Sequence, residues 1–556
     1  MKNIYLSSVS DFKKNVEYST GRFQLKNEKI NKCCEVNQIH ERSNIYSDIK
    51  DFRNRYLQRY LVLEYLLIKH KSFTFYIKDK LKTNEILLDK VGNEFIGEVG
   101  MDLDIEKSKF VVYPLKHVVS ISEQVTTLGM LINNGEGQVL IEDPTHRVKI
   151  VISSKTLFGK GIYCFNHFVI ARGKMNKITQ SFHVDLMFHP PIQNVDKNVA
   201  NEILSNLFSG TNNILLKSAD REKNIKNQSL DKTKLFRTTK YLEDLRIKVQ
   251  VSRSDYWVIL SDILLTSMSV IKNLRKVFSG YEKMIKDSNI NIGFILLGNF
   301  INIDLDKNGE NWTEEKTCVE NEQNFSNINE KGRSARLSAF NTNSRENHFK
   351  HSQNNFNTTR KGFERFKNVL KEFPVLLSNC NFFIISGPND IGPDLLPKLP
   401  LSNYYASYLS KVLPDSKIHF ISNPSVIDDS DIKIFCSRHS LTKELKEKTL
   451  FSYCGTKNVG FTTQWNIEPE ILENIIPQTV LGQQHLTPTS SNIIPNLDYF
   501  LFLLPTPKIL IIGDSSPSYS VKSMNQTWIV NPGSFNNTCS WVQYNVLTDS
   551  IDHVWL

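Results

Sequence analysis

Six short apolar runs in the second half of the chain constrain its fold most: 257–260, 293–297, 382–385, 417–421, 432–436 and 509–512. Most of them stop at a polar turn, as at Ser261-Asp262, Gly298-Asn299, Gly387-Pro388 and Gly513-Asp514. Runs this short and continuous read as strands covered on both faces, with the loops at their carboxyl ends left to carry function. Residues 251–556 are therefore expected to form one large sheet-based domain.

Ahead of it the period changes. Between residues 118 and 191, Val148, Ile150 and Ile152 alternate with Arg147 and Lys149, and Phe182, Val184 and Leu186 alternate with Ser181, His183 and Asp185. That period of two places one side inward and the other in water. Turn signals at Asn133-Asn134-Gly135, Asp143-Pro144 and Gly159 to Gly161 divide the stretch into about five strands, which suggests a small barrel of the OB type over 118–191. Phe158, Tyr163 and Phe165, with Lys155 and Lys160 nearby, could form a stacking platform for single-stranded bases; a purely structural or protein-docking barrel is the other reading.

In the basic amino-terminal region 1–117, Phe52, Tyr56, Tyr60, Leu63 and Leu67 recur at helical spacing. Arg53, Arg55 and Arg59 take other faces, so a helix is expected over about 51–70. Residues 192–250 read as a connector. Within 304–360, Asn fills 10 of the 40 positions from 321 to 360, and such a polar stretch buries too little apolar surface to offset its ordering entropy. It is expected to be a disordered insertion.

Composition excludes several classes. The longest apolar runs, 290–303 and 499–513, fall short of the ~18 residues of a membrane span, so no membrane partner is expected. Eight cysteines without a CxxC pair fit neither a disulfide scaffold nor a zinc ribbon, which points to a reducing compartment. Asp11, Lys13 and Lys14 stand where a secretory signal needs an apolar core. Of the net charge of +10, residues 1–90 supply 18 Lys and Arg against 11 Asp and Glu; this basic amino end is either a nucleic-acid contact or a solvated face.

The strand-end loops bear, in order, an Asp, Gly-Asn, Gly-Pro-Asn-Asp, a lone His and Gly-Asp, which is similar to the pattern of calcineurin-like metallophosphoesterases. In that family the motifs DxH, GDxxD, GNHD, a separate His and GHxH hold two divalent metals that activate water and clamp phosphate. Here Asp262 keeps the first acid, but Leu264 stands in place of the first His. Asn299 replaces the bridging Asp, and Asn302 the second Asp of that motif. In Gly387-Pro388-Asn389-Asp390, Pro388 replaces the ligand Asn and Asn389 the His that would protonate a leaving group. Asp514-Ser515-Ser516 lacks both histidines of the last motif. Only Asp262 and His485 remain as ligand candidates, too few for two cations. No metal, cofactor or catalytic residue is therefore expected. Asp262 and Asp390 read instead as caps or turn acceptors, and His485 as a hydrogen-bonded residue ordering the loop 483–488.

A small barrel ahead of a phosphoesterase fold stripped of its ligands resembles the B subunits of replicative DNA polymerases, the epsilon branch above all. The likeness rests on Leu128-Gly129-Met130-Leu131, Leu140 to Thr145, Ser261-Asp262-Ile263, Gly298-Asn299-Phe300, Ser386 to Asp390, Gln484 to Pro488 and Asn531 to Phe535. It implies an α+β and α/β architecture: an OB-type barrel packed on a calcineurin-like β-sandwich flanked by helices. It further implies a noncatalytic nuclear subunit that holds the carboxyl-terminal cysteine-rich module of the epsilon catalytic subunit and links it to replicative helicase components, with any DNA contact made through the complex. The family's amino-terminal helical domain has no clear counterpart in the first 45 residues. An interface of standard protein–protein size is expected, with Tyr404, Tyr405 and Tyr408 as candidate aromatic anchors. The competing readings are an active metal-dependent phosphodiesterase, a B subunit of the alpha or delta polymerase, and a free single-strand-binding module.

Overall fold

The computed structural model describes residues 49–76, 109–135, 137–208, 248–251, 254–301, 357–401, 405, 417–429, 432–453, 458–459, 469–489 and 492–556. The basic stretch 1–48, most of the Asn-rich segment, Asn302, Tyr404 and Tyr408 lie outside the described residues.

The first half contributes β1 (Phe73–Phe75), β2 (Phe110–Val112), β3 (Gln124–Asn133), β4 (Val139–Glu142), β5 (Arg147–Phe158), β6 (Gly161–Cys164), β7 (Phe168–Asn176) and β8 (Ser181–Phe188). β3, β4, β5, β8 and β7 are bonded in that order and β7 returns to β3, so five strands close into a barrel. The alternation seen in the sequence fills its interior: Val148, Ile150, Phe182 and Val184 pack there with Val125, Leu131, Ile141 and Val169. Gly129 permits a close strand approach, because a Cβ there would stand 2.5 Å from Ile141 Cγ1.

Helix Ile49–Lys69 lies against this barrel, earlier in the chain than the expected barrel boundary. Tyr60, Leu63 and Leu67 pack on Phe110, Leu128, Ile170 and Phe188. Its next stripe, Val62 and Leu66, packs on helix Lys197–Phe208 and on Phe502 and Leu504 of the second half. Covered from two sides, the helix departs from the expected single apolar stripe: Phe52 is 46% exposed, whereas Arg55 and Arg59 are buried. Helix Lys197–Phe208 also gives regular structure to the start of the expected connector.

The second half contributes β9 (Lys248–Val251), β10 (Tyr256–Ser261), β11 (Ile292–Leu297), β12 (Asn381–Ile385), β13 (Ile418–Ile421), β14 (Ser425–Asp429), β15 (Ile432–Arg438), β16 (Thr449–Tyr453), β17 (Asn458–Val459), β18 (Ile509–Gly513), β19 (Tyr519–Lys522), β20 (Trp528–Asn531), β21 (Ser540–Asn545) and β22 (Ser550–Trp555). Two six-stranded sheets result, ordered β13-β12-β11-β10-β21-β22 and β19-β20-β18-β15-β14-β9. Their facing sides share one core, with Trp257, Ile295, Phe383 and Val542 from the first sheet and Ile434, Cys436, Ile511 and Val530 from the second. Outside the first sheet lie helix Met268–Ser288 and the helix over 357–371, through Leu274, Phe278, Phe363 and Phe366. Helices Leu441–Lys448 and Pro469–Gly482 cover the second through Leu445, Ile476 and Val480. Because both faces of each sheet are covered, the strands carry continuous apolar runs.

Barrel and second half are joined by backbone. β6 stays out of the barrel sheet and pairs with β16, Tyr163 opposite Phe451. Beside it the Gln483 amide donates to Phe168 O (2.7 Å) and accepts from Phe168 N (2.8 Å). It also meets His189 Nδ1 at 3.0 Å, and Ile162 N donates to Thr479 Oγ1 at 2.9 Å.

This joint takes up the candidate base platform and leaves the structural or docking reading of the barrel. Tyr163 is fully buried, donates to Gly159 O at 2.7 Å and stacks on His189 at 4.5 Å between ring centres. Phe158 packs on Phe451 at 5.0 Å, Phe165 is half-buried and Lys155 is exposed. Tyr405, expected as an exposed anchor, is a core residue packed on Phe363. Among the described residues no helix is long and apolar enough to cross a membrane.

Candidate functional site

The carboxyl ends of β10, β11, β12, β15 and β18 converge, and a single buried guanidinium ties four of them together. Arg438 ends β15 and is 2% exposed. Its Nη2 and Nε donate to Asp262 Oδ1 at 2.6 and 3.1 Å, Nε also to Gly298 O at 2.8 Å, and Nη1 to Gly513 O at 3.2 Å. Asp262, in the left-handed region at φ 55°, also accepts from Asn299 N and Nδ2, both at 3.2 Å. Asn299 is thus a donor to Asp262 through both its backbone and its side-chain amide. Gly513 leaves room for the arginine, since a Cβ there would stand 2.9 Å from Arg438 Cδ and 2.7 Å from Leu297 Cδ1.

The neighbouring loop is closed in the same way. Asp390 accepts from Phe300 N and Gly387 N, both at 2.7 Å, and from Ile301 N at 3.3 Å. Burial pushes its carboxyl up to about 6 although these donors oppose the shift. Buried Lys398 donates to Gly387 O and Asp390 O, both at 2.7 Å, and burial lowers its ammonium. Asn423 fastens β12 to β15, its Nδ2 donating to Ser386 O (3.0 Å) and Arg438 O (2.6 Å).

The remaining motif residues have ordinary packing and hydrogen-bonding roles. Leu264 is half-buried against the core of the first sheet. Pro388 is half-buried, and exposed Asn389 donates its N–H to Asn299 Oδ1 at 2.8 Å. Asp514 accepts from Thr442 N at 2.7 Å, and Ser516 Oγ accepts from Asn531 Nδ2 at 2.9 Å.

His485 belongs to a different constellation. It is fully buried, accepts from Thr487 N at Nδ1 (3.2 Å), and faces Asp498 Oδ1 with Nε2 at 3.4 Å without hydrogen-bond geometry. Asp498 is held by Arg59 of the amino-terminal helix, through Nη2 at 2.6 Å and Nε at 2.9 Å, while Arg59 Nη1 donates to Pro488 O at 2.8 Å. Burial raises the Asp498 carboxyl, but Arg59 and then His485 outweigh it and hold it well below the usual range. Asp262 and His485 therefore sit in separate clusters, each organised around its own arginine. Among the described residues no group of three His, Cys, Asp or Glu side chains could hold a metal ion. Arg438, Lys398 and Asp498 carried no role in the sequence, and Arg59 was placed only on a face away from the apolar stripe. The one available signal was Arg438 two residues after the apolar run 432–436.

Three histidines at the joint are buried and held neutral. Burial lowers His167 well below its usual value, helped by His189, and brings His189 and His485 down to about 4, the latter with help from Arg59. Below about pH 6.5 the unfolded chain binds these protons and the folded chain does not, so stability falls with pH until about pH 4. Asp390, raised to about 6, has the opposite sign and offsets one of the three between those limits. Denaturant titrations at pH 7 and pH 5 should therefore differ by on the order of 4 kcal/mol, the acid side weaker. Equal midpoints would contradict the burial of neutral imidazoles.

The family model for the B subunit of DNA polymerases alpha and epsilon matches residues 257–521, and the model of the DNA polymerase epsilon subunit 2-like OB-fold domain matches residues 49–191. The chain is 23% identical to the DNA polymerase epsilon B subunit of Arabidopsis thaliana over 459 residues, covering 81% of this chain and 70% of that protein. It is 22% identical to DNA polymerase epsilon subunit 2 of Homo sapiens over 503 residues, covering 89% and 74%. With the DNA polymerase epsilon B subunit of Saccharomyces cerevisiae the identity is 21% over 478 residues, covering 79% and 60%. The two model matches take in the helix-and-barrel unit and most of the paired sheets, and the chain belongs to the B-subunit family of the alpha and epsilon DNA polymerases, with the OB-fold domain of the epsilon type.

Proposed function

We propose that this chain is the noncatalytic B subunit of a DNA polymerase epsilon complex in the nucleus. Its barrel and paired sheets form one docking body for the carboxyl-terminal cysteine-rich module of the catalytic subunit, and it links that subunit to replicative helicase components. The paired sheets read as a calcineurin-like phosphoesterase sandwich over 251–556 whose chemistry has lapsed, with the barrel unit of 118–191 extended by the helix ahead of it.

The observation that carries this reading is the Arg438 guanidinium on Asp262. An internal cation neutralises the first acid of the former metal motif and binds the adjoining strand ends. The loops are thereby fixed as a shaped surface rather than left open for a phosphate and two metals. The fold is kept while its chemistry is lost.

Mass spectrometry of the tagged chain isolated from cells should recover the epsilon catalytic subunit. Purified protein titrated with manganese should give no turnover of a generic phosphodiester. Recovery of another polymerase's large subunit would redirect the assignment. Manganese-dependent turnover abolished by Asp262→Ala would restore the phosphodiesterase reading.

A further inference from the structure

The two helices outside the first sheet carry a charge that the paired-sheet core does not need. Helix Met268–Ser288 and the helix over 357–371 together hold ten Lys and Arg against three Asp and Glu. Helix Leu441–Lys448, over the other sheet, is nearly balanced, with Lys443, Lys446 and Lys448 against Glu444 and Glu447. The excess is one-sided.

Some of it is spent internally. Arg275 grips Glu372 through Nε at 2.9 Å and Nη2 at 2.9 Å, Lys286 pairs with Glu282 at 2.9 Å, and Arg365 caps Thr266 O at 2.8 Å. Lys272, Lys276, Lys283, Lys361 and Lys371 are exposed and form no ion pair among the described residues. The first three follow one another on a single helical stripe over about 16 Å, the reach of several successive phosphates of a B-DNA strand. Exposed Ser279 and Gly280 between them add no bulk to the stripe.

We propose that this two-helix face binds the phosphate backbone of duplex DNA. The apolar side chains decide between occupants. Phe278, Tyr281, Phe363 and Phe366 all point into the core. Apart from Met268 at the edge, neither helix exposes a large apolar residue. A single strand is usually held by aromatic stacking, and a protein partner by buried apolar anchors; the face offers neither. A phosphate backbone requires only positioned cations. This surface is separate from the strand-end loops and stands whether or not the proposed assembly does.

The test is binding of the full chain to a short fluorescent DNA duplex across a salt series, comparing the native protein with the variant Lys272→Gln, Lys276→Gln, Lys283→Gln, Lys361→Gln, Lys371→Gln. All five positions are exposed, and an unchanged circular dichroism spectrum will establish that the variant folds. The expected result is binding weaker by roughly 10- to 100-fold near 100 mM salt, with the log–log salt slope shallower by about 4. The control Lys443→Gln, Lys446→Gln, Lys448→Gln should leave both unchanged. Equal affinity and slope in native and variant proteins would overturn the proposal, as would equal loss in the control. Displacement by single-stranded DNA as readily as by duplex, or binding of polyglutamate in place of duplex, would do so too.

Discussion

Arg438→Met is expected to destabilise the second half by about 3–5 kcal/mol, because it leaves the buried Asp262 carboxylate without its cation. The methionine fills much of the same volume, so the loss measures charge and hydrogen bonding more than cavity formation. Two backbone acceptors, Gly298 O and Gly513 O, each lose one of two donors at the same time and keep those from Asp262 N and His439 N. Adding Asp262→Asn should recover a large part of the loss, since a neutral amide can stay buried beside Asn299 at lower cost. Arg438→Lys should fall between, because a compact ammonium cannot satisfy the same planar array of acceptors. Denaturant unfolding of the four proteins checks the order. An unchanged midpoint in Arg438→Met would mean that the ion pair does not hold the strand ends together.

The second large effect is expected at Arg59, which fastens the amino-terminal helix to the second half across 439 positions of sequence. Arg59→Met strands Asp498, an acid with 0% side-chain exposure, and should cost about 3–5 kcal/mol near neutral pH. It should also change the sign of the local pH response. In the native protein His485 is kept neutral by burial and by the arginine; without Arg59 the nearest cation that Asp498 can gain is a protonated His485, 3.4 Å away. The folded-state pKa of His485 then rises, and its proton binding favours the folded state as pH falls. The destabilisation by Arg59→Met should therefore be smaller at pH 6 than at pH 8. A loss independent of pH would show that His485 does not sense the pair.

Much of the architecture was legible in the chain itself. The alternation around 147–152 and 181–186 placed barrel strands, and the apolar runs placed six strands of the paired sheets, because both signals depend on residues a few positions apart. The motif positions Leu264, Asn299, Pro388, Asn389 and Ser516 were equally plain, since they follow strand ends at fixed offsets. The helical stripe was read only in part: Tyr60, Leu63 and Leu67 face the barrel, while Phe52 is exposed and Arg59 is buried. A second packing surface, supplied by residues 195–207 and 499–504, covers Val62 and Leu66, and Asp498 and Pro488 beside it take up Arg59.

The sequence by itself determined that a barrel precedes a layered sheet domain and which residues follow its strand ends. Only the tertiary structure decided how those strand ends are held together. Arg438 reaches Asp262 from 176 positions away, and Tyr163 turns into the joint between the halves instead of toward solvent. Periodicity is set by the backbone over one or two turns and shows in any short window. The partner of a buried charge is set by which chain ends meet in space, and local spacing carries no record of that meeting.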